Sequence, residues 1–302
     1  MKVVAGPGSA PRRGSPLPLP DSRRGLAIAT AKIPVRQVLD RYDIVPRKRF
    51  GQNFLHDPAV GRRIVDVARV GAGDAVLEVG PGLGALTIPL LETGANVVAV
   101  EVDERIATYL EDTLGDRPNF ELVRGDVLGL DLAALLPGPA TLVANLPYSI
   151  TGPMLALLLE NADRFPRAVI MVQKEVGTRL VAGAGGKEIG APAVLLRLLY
   201  RVRRRFDVGK GAFLPPPEIV SAVIEFERLP GTTLDPFLRD AVNTAYRHRR
   251  KMIRKTLKGI VAAEAAIGGA LAGLGHPDTA RPEDLEPEDW PRLLSAVRGG
   301  TP

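Results

Sequence analysis

Ala75-Val76-Leu77-Glu78-Val79-Gly80-Pro81-Gly82-Leu83-Gly84-Ala85 is the stretch whose reading decides the fold. A short apolar run leads straight into a turn with glycine at every second position, and a helical pattern follows. Glycine there allows a tight turn and lets a ligand approach the backbone next to a helix N-terminus. Gly80, Gly82 and Ala85 also satisfy the dinucleotide spacing GxGxx(G/A). Glu101 falls about 20 residues further on, at the end of the next strand, where it can accept hydrogen bonds from two ribose hydroxyls. By spacing alone the turn fits a dinucleotide site, another nucleoside-bearing cofactor, or a structural turn.

Outward from the turn, strands and helices alternate. Residues 75–79, 96–100, 120–123, 141–144 and 168–172 read as short apolar strands, and 83–92, 104–114, 154–159 and 174–181 as helices. Ahead of them, 58–70 reads as a helix with Asp57 as N-cap before Pro58. Residues 34–42 make a short lead-in helix. This alternation predicts an α/β fold, a Rossmann-like parallel sheet covered by helices on both faces. A further strand is expected at 219–226, and then helices over 237–260, 264–274 and 290–297. The expected organisation is a disordered basic tail with its lead-in helix (1–45), a Rossmann-like domain (46–229) and a small helical domain (230–302).

Two acids shift the cofactor reading towards S-adenosylmethionine. Glu78 stands two residues before Gly80, where a carboxylate suits a cationic sulfonium better than a pyrophosphate. Asp126, after the third strand, can accept from an adenine amine. The fourth strand ends in Asn145-Leu146-Pro147-Tyr148, at the edge where open α/β sheets place their sites. The exocyclic amine of adenine is a poor nucleophile, and methylating it calls for acceptors that orient the N–H groups. The Asn145 side-chain oxygen and the Pro147 carbonyl are such acceptors, and Tyr148 can stack on the base, a contact worth ~1–3 kcal/mol.

On these residues the chain resembles the ribosomal-RNA adenine N6-dimethyltransferase family, in the branch that modifies two adjacent adenosines near the 3′ end of small-subunit rRNA. The likeness spans about residues 46–300 and includes Arg47-Lys48-Arg49-Phe50-Gly51-Gln52-Asn53-Phe54-Leu55, Met171-Val172-Gln173-Lys174-Glu175-Val176, and Phe213-Leu214-Pro215-Pro216-Pro217 with Ser221-Ala222-Val223. The resemblance implies S-adenosylmethionine contacts at Asn53, Leu55, Gly80, Glu101, Asp126 and Asn145. It also implies Phe213 facing Tyr148 across the target adenine. The sequence departs from the family pattern at Tyr148-Ser149-Ile150-Thr151, at Gly190-Ala191-Pro192-Ala193-Val194 and at Glu218-Ile219-Val220, which touch the rim rather than the contact residues.

Charge is segregated along the chain. Residues 1–50 carry a net +8, 51–200 a net −6, 201–260 a net +8 and 261–302 a net −4. Residues 243–258 hold seven basic side chains and no acid. On one helix, Arg247, Arg250, Lys251, Arg254 and Lys258 would share a face able to track a phosphate backbone, with Lys255 beside them. With Arg201-Val202-Arg203-Arg204-Arg205 and with Arg47, Lys48 and Arg49 they would form a basic rim around an acidic cofactor floor. A solvated helix face is the plain alternative. Without cysteine, disulfides and thiolate chemistry are excluded, and three scattered histidines argue against a histidine metal site. No apolar run reaches the ~18 residues of a membrane span. The expected protein is a cytoplasmic monomer acting on small-subunit rRNA within a pre-ribosomal particle. Competing readings are a large-subunit rRNA adenine methyltransferase of the antibiotic-resistance type, an NAD-dependent dehydrogenase, and a non-catalytic RNA-binding or transcription factor on the same scaffold. An organellar transit peptide in the acid-free first 20 residues is a further alternative.

Overall fold

The computed structural model describes residues 34–46, 52–185 and 189–298. The tail, and with it Arg47, Lys48 and Arg49, lies outside the described residues.

The chain opens with α1 (Val35–Arg41), β1 (Phe54–Leu55) and α2 (Pro58–Ala68). Asp57 caps α2 by accepting from the Ala59 N–H at 2.9 Å, as a short acceptor before an N1 proline should. Then follow β2 (Ala75–Val79), α3 (Thr87–Glu92), β3 (Asn96–Glu101), α4 (Glu104–Leu114), β4 (Phe120–Arg124), α5 (Leu132–Leu135), β5 (Thr141–Asn145), α6 (Thr151–Glu160), β6 (Arg167–Gln173) and α7 (Lys174–Val181). The chain continues through α8 (Ala191–Leu199), β7 (Tyr200–Val208), β8 (Phe213–Leu214) and β9 (Ser221–Arg228). It closes with α9 (Pro236–Arg247), α10 (Ile253–Thr256), α11 (Glu264–Gly273) and α12 (Asp289–Arg298).

Seven strands form one sheet in the order β4-β3-β2-β5-β6-β9-β7, with β1 and β8 paired apart from it. β9 alone runs against its neighbours. The strand order reverses between β2 and β5, and at such a switch point the loops diverge and leave a crevice at the carboxyl ends of the strands. Apolar clusters fill both faces. Ile64, Leu90, Ile106 and Leu110 of α2–α4 cover one. Met154, Leu158, Leu180 and Leu195 cover the other, in a cluster that continues into Ile253, Trp290 and Leu293 of the C-terminal helices.

Several expectations are corrected. The helix expected from residue 83 begins at Thr87, because Gly80, Gly82 and Gly84 hold φ of +68°, +55° and +85° and prolong the turn. The expected all-parallel sheet gains the reversed strand β9 and the edge strand β7, whose arginines hid its period. The single helix expected over 237–260 is broken. α9 stops at Arg247, and residues 248–252 turn through N–H bonds from His248 to Ala245, Arg249 to Tyr246 and Lys251 to His248. The bend carries Ile253 and Leu257 into full burial and lets the Ile253 N–H reach the Ala280 carbonyl at 2.8 Å. It also spreads cations that a continuous helix would crowd at like-charge spacing.

Candidate active site

One cleft at the carboxyl ends of β2, β3 and β5 is lined by Asn53, Leu55, Gly80, Glu101 and Asp126 and, across from the glycine turn, by Asn145, Pro147, Tyr148 and Phe213. Apart from Glu78, the expected cofactor and catalytic positions meet in one place, from segments spread over 160 residues of chain.

The turn is braced from within the sheet. The Gly80 N–H donates to the Val100 carbonyl at 3.0 Å. Glu101 is 6% exposed and accepts from the N–H groups of Val102 (3.0 Å) and Asp103 (2.9 Å) on one oxygen, and from Gly82 at 3.3 Å on the other. Burial raises its carboxyl above the usual range, and the three backbone donors oppose that rise. A Cβ on Gly82 would stand 3.6 Å from the Phe54 ring at a φ that L side chains rarely adopt. The cradle suits a nucleoside: half-buried glycine backbone of the turn lining the cleft, and a carboxylate whose Gly82-facing oxygen makes one long hydrogen bond.

Asp126 spends one oxygen on the Leu128 N–H (3.0 Å), capping the short turn after β4, and the other has no partner among the described residues. Glu78 departs from expectation. It is 1% exposed and does not line the cleft; neither oxygen has a hydrogen bond of full geometry, and the Thr87 hydroxyl and N–H are the donors beside it. Strand alternation is the cause, sending Leu77 and Val79 to one apolar layer and Glu78 to the other, beside Thr87. Burial pushes its carboxyl up to about 8, so it is neutral at pH 7 and no counter-charge for a sulfonium.

Asn145 is the last residue of β5, in register with Met171 of β6, and its side-chain amide has no partner among the described residues. The Pro147 carbonyl already accepts the Ile150 N–H at 3.1 Å, leaving one lone pair. The adjacent Leu146, also at the cleft, has a carbonyl that accepts no such bond among the described residues. Ser221, expected only as part of a family pattern, stands behind the cleft against Tyr148. Its hydroxyl lies 3.0 Å from that of Tyr148 and is buried at the start of β9. The β1–β8 pair also escaped sequence reading, since two-residue strands carry no period. It sets Leu55 opposite Phe213 and Phe54 opposite Leu214, and the His56 N–H adds a bond to the Ala212 carbonyl at 2.9 Å. The segment expected to touch the cofactor is thus pinned to the one expected to touch the base.

Of the basic positions, Arg247, Arg250, Lys251 and Lys255 are exposed around the bend after α9. Arg254 is different. It is half-buried and ion-paired with Glu264 at 2.5 Å and Asp278 at 3.6 Å, a tie between α10 and α11. Among the described residues no helix is long and apolar enough to cross a membrane.

Comparison with known proteins agrees with this geometry. A family model described as ribosomal RNA adenine dimethylase matches residues 45–269. Ribosomal RNA small subunit methyltransferase A of Cutibacterium acnes is 38% identical over 279 residues, covering 87% of this chain and 92% of that one. Its counterpart in a Synechocystis species is 43% identical over 277 residues, covering 83% and 96%. Among solved structures, the 23S rRNA methyltransferase ErmE superposes with a TM-score of 0.68 at 26% identity, over 82% of this chain and all of that one. A dimethyladenosine transferase from Plasmodium falciparum gives the same TM-score at 22% identity, over 82% and 98%, a likeness of fold.

Proposed function

Since the chain belongs to the ribosomal RNA adenine dimethylase family, we propose that it methylates N6 of two adjacent adenosines near the 3′ end of small-subunit rRNA, giving dimethyladenosine during ribosome assembly. The observation that carries the reading is the unpartnered Asn145 amide at the end of β5, in the same cleft as the glycine turn and Glu101. The relatives at 38% and 43% identity bear small-subunit names, and that favours this branch over the large-subunit enzymes. An NAD-dependent dehydrogenase would leave Asn145 and Tyr148 without a role.

S-adenosylmethionine, bound in the cleft, supplies an electrophilic methyl group on a sulfonium. For it, Glu101 accepts from the ribose hydroxyls, Asp126 from the adenine amine through its open oxygen, and Gly80, Asn53, Leu55 and Asn145 complete the cradle. The Asn145 side-chain oxygen and a carbonyl of the Leu146–Pro147 turn accept hydrogen bonds from the target amine. That orients its lone pair towards the methyl group. Pro147 offers one lone pair and Leu146 a whole carbonyl. No side-chain base is needed before transfer, because the nitrogen becomes acidic once alkylated. Tyr148 and Phe213 stack on the base, which must be unpaired or flipped out for its amine to be reached.

Arg47, Lys48, Arg49, Arg247, Arg250, Lys251 and Lys255 contact rRNA phosphates, and the helical part, residues 230–302, serves substrate binding. The ion pairs of Arg254 point to a structural role for that residue instead. The protein works as a monomer in the cytoplasm, on a pre-ribosomal particle. Mapping N6-methylated adenosines in rRNA from a strain lacking the gene tests the reading. Loss of dimethylation at two adjacent small-subunit adenosines supports it, and an unchanged small-subunit pattern contradicts it.

A further inference from the structure

The sheet face that carries α2 is not covered evenly. α2 packs on β6 and β9, but towards the edge strand β7 the face is built of arginine. On β9, Ala222, Ile224 and Phe226 enter the opposite core, so Glu225 and Glu227 belong to the α2 side. In register with them on β7 are Arg203 and Arg201, and on β6 Arg167 stands opposite Glu227. A bulge between Arg204 and Phe206 shifts the alternation, so that Arg205 and Phe206 both follow Arg203 on this side.

Two carboxylates organise five guanidinium groups there. Glu225, whose side chain is fully buried, pairs with Arg167 and lies 3.6 Å from Arg69 and 3.5 Å from Arg205. Glu227 lies 3.4 Å from Arg203, 3.6 Å from Arg201 and 3.7 Å from Arg167. The cluster carries three positive charges more than its carboxylates neutralise. Arg201 remains 56% exposed, Arg69 49% and Arg203 42%. Arg63 extends it, with its guanidinium 3.8 Å from the centre of the Phe206 ring. The opposite edge of the same sheet has the reverse balance: on β4, Arg124 is shared by Glu104 and Glu111.

One guanidinium suffices to compensate a buried carboxylate, so two extra arginines around Glu225 are not explained by pairing. What the glutamates do provide is a common anchor, which draws Arg69, Arg201, Arg203 and Arg205 to one face at separations of 3.4 to 3.6 Å. A held guanidinium loses less entropy on binding, and its planar fork matches a phosphate bidentately. Along β7, Arg201, Arg203 and Arg205 recur every two residues, about 7 Å apart, a step on the order of that between consecutive phosphates of one strand. Among the described residues the exposed large hydrophobic side chains lie elsewhere, at Val45, Val102, Leu128, Ile219 and Ile260, and the half-buried Phe206 is covered by Arg63, so the face offers little apolar surface to anchor it in lipid.

We infer that this arginine face is a second phosphate-backbone platform, which holds a strand of the rRNA substrate apart from the cations around the bend after α9. The inference rests on the proposed rRNA substrate. Its test is the salt dependence of small-subunit rRNA binding by the full-length chain, compared with Arg201→Gln/Arg203→Gln, a variant that leaves Arg69, Arg167 and Arg205 around buried Glu225. The slope of log K against log[KCl] should become shallower by about 0.7–0.9 for each phosphate no longer neutralised, with the urea midpoint and S-adenosylmethionine affinity as in the parent. Arg201→Lys/Arg203→Lys should keep the slope and lose affinity, because charge remains and the fork does not. A parent-like slope and affinity in the Gln variant overturns the platform, as does loss of binding that merely follows a lowered urea midpoint. Sedimentation with phosphatidylserine vesicles, abolished in the Gln variant while its RNA slope is unchanged, would reassign the face to membranes. A parent chain that binds no rRNA would instead refute the proposed function.

Discussion

Replacing Glu101 separates its two tasks. One oxygen accepts from Val102 and Asp103 at 3.0 and 2.9 Å and holds the β3–α4 junction; the other makes a 3.3 Å bond to Gly82 and faces the proposed ribose position. Hydrogen bonds to a charged acceptor contribute ~1.5–3 kcal/mol each. Glu101→Ala therefore forfeits two good bonds, about 3–6 kcal/mol, and endangers the fold along with the site. Glu101→Gln keeps a carbonyl oxygen for the two junction donors, and places an NH2 where the second oxygen accepted. Its stability should fall by no more than about 1–2 kcal/mol, the weak Gly82 bond and the charge being the losses. Its affinity for S-adenosylmethionine should fall by ~1.5–3 kcal/mol, roughly 10- to 150-fold, because a ribose hydroxyl meets a donor instead of an acceptor. Titration calorimetry with thermal unfolding of both variants reads the two effects apart. Glu101→Gln binding the cofactor as tightly as the parent refutes the ribose assignment, whatever its stability.

Ser221→Ala and Tyr148→Phe each break the 3.0 Å hydroxyl pair. Each should lower kcat/KM for rRNA by about 2- to 10-fold, and the double variant should be no worse than either single one, since both remove one interaction. Additive losses would argue against it. Glu78→Gln should alter how stability depends on pH. The folded carboxyl titrates at about 8 and the unfolded one near ~4.3, so the native state binds the extra proton and stability declines as pH rises between those values. Urea midpoints at pH 5 to 8 should decline less in Glu78→Gln than in the parent; parallel curves would contradict the buried neutral acid. Arg254→Ala should cost ~1–3 kcal/mol of stability through its half-buried pairs while leaving the salt slope of rRNA binding intact. Arg250→Gln/Lys251→Gln should do the converse, lowering that slope by about one for each phosphate that the variant no longer reaches. A stable Arg254→Ala with a shallower slope would return that residue to the RNA surface.

Most of the fold and the cleft was legible because local signals and tertiary demands agree there. β2 and α4 occupy the residues expected, 75–79 from the apolar run before Gly80 and 104–114 from the alternation of strands and helices. Side chains at strand ends could be placed because parallel topology fixes which ends meet, which is how Glu101, Asp126 and Asn145 were brought together from sequence. Legibility failed where packing overrode local pattern. Arginines on β7 hide a strand period that exists to match Glu225 and Glu227. The cations from Arg247 to Lys258 suggest one helical stripe, but burial of Ile253 bends the chain and draws Arg254 into ion pairs. Glu78 read as a cofactor ligand by its nearness to Gly80, and only the facing of β2 shows that it points into an apolar layer. Ser221 and the β1–β8 pair depend on contacts across more than 70 residues, which no periodicity in the chain reports.

The most direct test of the central claim is mass spectrometry of nucleosides after the purified protein and S-adenosylmethionine are incubated with small ribosomal subunits lacking the modification. The parent should yield N6,N6-dimethyladenosine at two adjacent positions near the 3′ end of the rRNA. Asn145→Ala should yield it at a rate lowered far more than its cofactor affinity, as expected of a group acting in the transition state. Dimethylation by Asn145→Ala at the parent rate, or methyl groups confined to cytosine, ribose or large-subunit rRNA, would contradict the account.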